Sequence, residues 1–258
     1  MNRINQLFEQ KKENILSVYF TAGFPKLEDT LPTLKCLQAN GVDLVEIGVP
    51  FSDPMADGLV IQNSSHAALQ NGMSIRKLFE QLTSVRVDIH IPLVMMGYLN
   101  PIMQFGFEAF CKECHRVGVD GMIVPDLPMA DFLAEYKEIA ERYGLEFIFL
   151  ITPETSEERI REIDGHTNGF IYMVSSAATT GTQTSFDNKV DYFNRINAMN
   201  LKNPRLIGLR KITESMSVIR PRGPIDCRIC GSLTVLLTIA LTIGLRWYLR
   251  RTTLLIVS

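Results

Sequence analysis

Three observations predict an α/β fold for this chain, either a (β/α)8 barrel or a doubly wound sheet. Short apolar runs rich in β-branched residues recur along the first 208 residues with little apolar/polar alternation, as expected of parallel strands buried on both faces. Between them lie stretches with apolar residues at three- and four-residue spacings, the mark of amphipathic helices. The length, 258 residues, fits one barrel of about 250. Strand–helix alternation at this pitch implies right-handed βαβ units. Composition does not separate the barrel from the open sheet.

In chain order the predicted strands are Ile15–Phe20, Leu44–Val49, Pro92–Tyr98, Gly121–Pro125, Glu146–Ile151, Gly169–Val174 and Arg205–Gly208. The predicted helices are Leu31–Ala39, Ile75–Val85, Phe107–Val117, Ala130–Tyr143, Ser156–Ile163 and Val190–Met199. Polar or Gly/Pro-rich loops follow the strand ends: Thr21–Pro25, Pro50–Gly58, Asn100-Pro101, Pro125–Pro128 and Ser175–Thr184. In a barrel these loops build the active site.

The second strand is the informative one. Its apolar run, Leu44-Val-Glu-Ile-Gly-Val49, carries one carboxylate, Glu46, and then breaks into a loop holding Asp53 and Asp57. Burying a polar group without a partner costs roughly 2–7 kcal/mol. A strand under no other demand would place Val or Ile there, so Glu46 points to chemistry. A strand-end Glu with a loop Asp is also a common structural pairing, and Asp53 reads best as a turn residue.

Bulk composition excludes several classes. Hydrophobic content of 46% and charged content of 21% are those of a globular chain with a sizeable core, and a net charge of −2 gives no reason to expect nucleic acid. Residues 1–14 lack an apolar signal region, so a cytoplasmic location is expected, and five irregularly spaced cysteines suit a reducing compartment. Cys111-Lys-Glu-Cys114-His115 matches a haem-attachment pattern but falls inside a helical stretch, where coincidence explains it. Cys227-Arg-Ile-Cys230 has no second ligand pair, and the four histidines show no ligand spacing. No metal is expected. The average also conceals a seam: residues 209–258 carry eight Lys/Arg against two Asp/Glu, a net +6, which leaves residues 1–208 at −8.

Several segments, in order across residues 1–208, resemble the tryptophan synthase α subunit. They are Glu46-Ile-Gly-Val-Pro-Phe-Ser-Asp-Pro-Met-Ala-Asp57-Gly58 with Ile61-Gln62, and Met96-Gly-Tyr98-Leu-Asn100-Pro101. Gly118–Pro128, and Gly169-Phe-Ile-Tyr172-Met-Val-Ser-Ser with Thr180-Gly181, complete the set. The resemblance implies a (β/α)8 barrel that cleaves indole-3-glycerol phosphate to indole and glyceraldehyde 3-phosphate, a carbon–carbon lyase of tryptophan biosynthesis without a cofactor of its own. It implies an α2β2 complex with a pyridoxal-phosphate β subunit. Glu46 would then be the general acid/base, with a proton affinity raised by its apolar setting. Asp57 would accept the indole N–H and steady the developing cation. Tyr98, Leu99 and Leu127 would line the indole pocket, with Tyr19 or Phe20 closing it and Tyr172 ordering it. The Gly181 backbone N–H, beside Thr180, would face the phosphate.

After Gly208 the resemblance stops. Where the family continues with a helix, an eighth strand and a phosphate-binding Gly-Ser step, this chain runs Leu209-Arg-Lys-Ile-Thr and on to a basic, then apolar, tail. A one-nucleotide frameshift near codon 208 accounts for this. Read one base later, Leu209–Thr213 can encode Phe-Gly-(Lys/Arg)-Ser, and Asp226–Gly231 can encode Ile-(Val/Ala)-Gly-Ser-Ala. The competing reading, a membrane anchor at Ser232–Leu245, falls short of the roughly 20 residues a span needs. The tail is therefore expected to be disordered or an apolar helix. The barrel would lack its eighth strand and leave the first and seventh strands with open edges. Stability and turnover would suffer, and the alternative function is an impaired remnant that only docks on a β subunit.

Overall fold

The computed structural model describes residues 1–174, 186–209 and 236–240. Its strands are β1 (Ile15–Thr21), β2 (Leu44–Gly48), β3 (Leu93–Met96), β4 (Gly121–Ile123), β5 in two pieces (Glu146–Phe147 and Leu150–Ile151), β6 (Ile171–Val174), β7 (Arg205–Leu209) and β8 (Leu236–Ala240). The hydrogen-bonded order runs from the first piece of β5 through β4, β3, β2, β1, β8, β7 and β6 to its second piece. Both ends of the sheet are thus the same stretch of chain, and the ring closes into a barrel. That decides between the barrel and the open sheet.

Every pairing from β1 round to β7 through β5 is parallel. The expectation of open edges is corrected at the remaining seam. Leu236–Ala240 lies between β1 and β7 and runs antiparallel to both, with Tyr19 opposite Leu236, Ile15 opposite Ala240, and Gly208 opposite Thr238. An unpaired edge presents a row of N–H and C=O groups that any extended segment satisfies. Here the apolar tail supplies that segment, as a strand where sequence suggested helix or disorder. It fills the place of the eighth strand but in the reverse sense.

The helices are α1 (Arg3–Gln10), α2 (Thr30–Ala39), α3 (Leu59–Gln70), α4 (Ile75–Gln81), α5 (Val85–Asp88), α6 (Leu99–Phe105), α7 (Phe107–Val117), α8 (Met129–Asp131 continuing through a π-type turn at Phe132–Tyr136 into Lys137–Arg142), α9 (Glu157–His166) and α10 (Phe186–Ala198). Three of these, α1, α3 and α6, were not among the predicted helices. The Asn2 side chain caps α1 by accepting from the Ile4 N–H at 2.9 Å, and Ser74 and Ser156 cap α4 and α9 in the same way.

Side chains alternate along each strand and build two apolar layers. Val18, Phe20, Val45, Ile47, Leu93, Met95 and Met122 belong to the layer shared with the helices. Ile15, Leu44, Val94, Ile123, Ile148, Phe170, Tyr172 and Leu206 fill the barrel interior. Ile4 and Phe8, one turn apart on α1, join that interior cluster and stop its floor. At the same pole Asp120, just before β4, binds Arg86 at 2.6 Å and Arg3 at 2.9 Å, and accepts from the Leu93 N–H at 2.9 Å.

Candidate active site

At the other pole, the carboxyl ends of the strands, the alternation of β1 and β2 turns Ser17, Tyr19 and Glu46 away from the helix layer. Glu46 is fully buried, and one carboxylate oxygen, Oε1, accepts the Ser17 hydroxyl at 2.6 Å. Tyr19 is in register with Glu46 and is also buried. Its ring needs room: a Cβ at Gly48 would collide with the Tyr19 hydroxyl, so glycine is required at the end of β2. The same device recurs across the barrel, where a Cβ at Gly208 would come within 2.6 Å of the Tyr172 ring.

Asp57 belongs to the loop that β2 feeds, ahead of α3. Tyr98, at the start of α6, donates its hydroxyl hydrogen to Asp57 Oδ2 at 3.0 Å and accepts from the Ala56 N–H at 3.1 Å. Gln62 on α3 donates to the Asp57 carbonyl at 2.9 Å, and Phe51 packs its ring 5.2 Å from that of Tyr98. The loop is therefore gripped at both the side chain and the backbone of Asp57. Asp53, by contrast, is exposed and sits in a turn closed by the Met55 N–H on its carbonyl.

Electrostatics tie these groups into one cluster. Burial raises the Tyr19 hydroxyl above the ordinary tyrosine range; Thr21 opposes this, while the charges of Asp57 and Glu46 add to it. Burial also raises Tyr98, with the Asp57 charge and hydrogen bond acting in the same direction. Both tyrosines stay phenols at neutral pH, able to donate and not to compete for negative charge. Tyr19 feels both carboxylates.

The remaining candidates divide. Tyr172 lies in the interior with Leu206 and Leu150 as register neighbours. Buried Leu127 and half-buried Leu99 pack with the helix-side layer, as does Phe20, which leaves Tyr19 as the residue facing inward. Thr180 and Gly181 lie outside the described residues, as do Cys227 and Cys230. Cys111 and Cys114 are buried on α7, where burial pushes the Cys111 thiol up to about 12, unsuited to haem attachment. Among the described residues no group of three or more His, Cys, Asp and Glu could hold a metal ion, and no helix is long and apolar enough to cross a membrane. Reading the sequence alone passes over Ser17, Phe51, Gln62 and Asp126. The last accepts the Leu99 N–H at 2.9 Å and so caps α6 behind Tyr98. Phe51, Gln62 and Asp126 fall within the family-like segments without a role being read from them, and Ser17 shows as a lone polar residue in an apolar run.

Barrel enzymes hold their chemistry at this mouth, and the chain is an enzyme of that architecture. A family model described as tryptophan synthase alpha chain matches residues 5–238, and the chain belongs to that family. Among its relatives, the tryptophan synthase alpha chain of Parabacteroides distasonis is 61% identical over 229 residues, 87% of this chain and 89% of the relative. That of Bacteroides fragilis is 61% identical over 209 residues, 81% of this chain and 80% of the relative. The solved alpha subunit of Legionella pneumophila superposes with a TM-score of 0.74 at 34% identity, covering 83% of this chain and 80% of that one.

Proposed function

We propose that this chain cleaves indole-3-glycerol phosphate by a retro-aldol reaction, with Glu46 and Asp57 dividing the proton and charge work. The reaction requires a proton on C3 of the indole ring and loss of the proton from the side-chain hydroxyl. The bond from C3 to the glycerol chain then breaks, its electrons return to the ring, and the hydroxyl carbon becomes the aldehyde of glyceraldehyde 3-phosphate. Glu46, buried in the barrel, is the group that takes and gives these protons. Asp57 accepts the ring N–H and offsets the positive charge that the nitrogen develops. Tyr98 holds Asp57 for that task. Tyr19 and Tyr172 wall the ring, Leu99 and Leu127 border it, and Thr180 with Gly181 receives the phosphate.

The single observation that carries this reading is a fully buried carboxylate within a barrel, in register with a buried tyrosine, with a second carboxylate on the loop that follows its strand. Family membership favours the lyase over a docking remnant. Alpha chains of this family work with a beta subunit, and a complex of that kind, in the cytoplasm, is the expected working form. Within the same proposal residues 209–258 arise from a shifted reading frame, which sequencing of the coding DNA decides. The reaction is tested by following aldehyde release from indole-3-glycerol phosphate. Glu46→Gln is expected to lower kcat at least about 100-fold, the usual worth of general acid–base catalysis, and Asp57→Asn to lower it by a similar factor. Full turnover by Glu46→Gln would refute the assignment.

A further inference from the structure

We propose that Ser17 is a positioning residue for Glu46, fixing the site of its carboxylate and favouring its ionised form. This rests on Glu46 being the proton-transferring group. Ser17 is fully buried on β1 between Val18, which packs on the helix side, and an otherwise apolar interior. A serine there would leave a buried hydroxyl unsatisfied were it not hydrogen-bonded. Its partner is Glu46 Oε1 at 2.6 Å, within the short range of hydroxyl–carboxylate bonds. The hydroxyl donates one hydrogen, and the ionised carboxylate only accepts, so the contact favours the charged form.

Register fixes the direction of this grip. Ser17 stands opposite Leu44, whereas Glu46 stands opposite Tyr19, one inward-facing step nearer the mouth. The carboxylate is therefore tied from the barrel floor, on the side away from an incoming substrate. Tyr19 of β1 is in register with it and feels its charge, Asp57 and Tyr98 bear on that same tyrosine, and β3 sets apolar Val94 opposite Glu46. The Ser17 donor weighs toward the ionised form of Glu46, in which it can accept a proton.

The test uses the full chain as wild type, Ser17→Ala and Ser17→Thr, with Glu46→Gln as reference and circular dichroism to verify folding. In Ser17→Ala the acidic limb of the kcat–pH profile is expected to rise by about one unit, so that kcat at a pH on that limb falls about tenfold, one pKa unit being a factor of ten. KM is expected to change less than twofold, and Ser17→Thr to restore the profile. In parallel, the Glu46 carboxyl is titrated by 13C NMR, its signal assigned by its loss in Glu46→Gln, and the same upward shift is expected. An unshifted carboxyl titration in Ser17→Ala overturns the proposal, as does a rise in KM with an unmoved profile. Absence of turnover in the wild type would instead defeat the lyase reading, and the carboxyl titration would still decide the role of Ser17.

Discussion

Asp120 illustrates how much one side chain can organise. It is almost fully buried, accepts from two guanidinium groups and one backbone N–H, and thereby joins α1, α5 and the starts of β3 and β4. Burial lowers the proton affinity of Arg86 and the Asp120 charge restores it, so the carboxylate keeps a buried cation tolerable. Removing one partner of such a pair leaves the other uncompensated, at a cost of about 3–5 kcal/mol. Asp120→Ala is expected to lose about 3 kcal/mol in urea unfolding, Arg86 keeping its bonds to the Gly118 and Ile91 carbonyls. A loss under 1 kcal/mol would mean the network is dispensable. Nothing in the local sequence pattern shows the role of Asp120, because its guanidinium partners are 34 and 117 positions away. Glu46 was legible for the opposite reason: the anomaly is local, a charge inside an apolar run.

At the scale of elements, the strands of residues 1–208 were legible because burial on both faces leaves continuous apolar runs. Of the helices missed from sequence, α1 carries Ile4, Leu7 and Phe8 at helical spacing, while α3 and α6 hide their signal. The buried face of α3 is Ile61, Ser64, Ser65 and Ala68, and Ser64 bonds Thr21 at 2.7 Å, so small polar contacts replace an apolar stripe. In α6, Pro101 suggested a loop, yet it falls in the first turn, where its missing N–H would have had no partner. The strand β8 was illegible because its pairing depends on a gap formed elsewhere in the chain. Its weight can be measured. Proline at position 238 removes a backbone donor between β1 and β7. Thr238→Pro is expected to cost about 3 kcal/mol, the upper range of ordinary single substitutions, and to promote aggregation, with Thr238→Val as control. Identical melting of the two variants would show that the barrel holds without this strand.

For the whole molecule, buried acidic protons set an alkaline limit to stability. Burial raises the Cys111 thiol from 9.0 to about 12, raises Cys114 as well, and lifts Tyr19, Tyr98 and Tyr192 above 10.0. Above pH 9 the unfolded chain releases thiol protons that the folded chain retains, so unfolding is increasingly favoured as pH rises, each group adding up to about 1.4 kcal/mol per unit. These contributions are intact below pH 9 and disappear as pH climbs toward 12. The urea midpoint is expected to be flat from pH 7 to 8.5 and to fall steadily from 9 to 11, with a shallower fall in Cys111→Ala. A midpoint unchanged at pH 10.5 would contradict the burial of these groups.

The reversal of β8 has a consequence for how the chain is threaded. Each earlier parallel link climbs one strand, returns down the outer wall and climbs the next. Leu209 ends β7 at the upper rim, and Leu236 begins β8 at that same rim beside Tyr19. The two strand ends that meet this seam therefore lie at one pole, while Ala240 ends β8 beside Ile15, at the pole where α1 stops the floor.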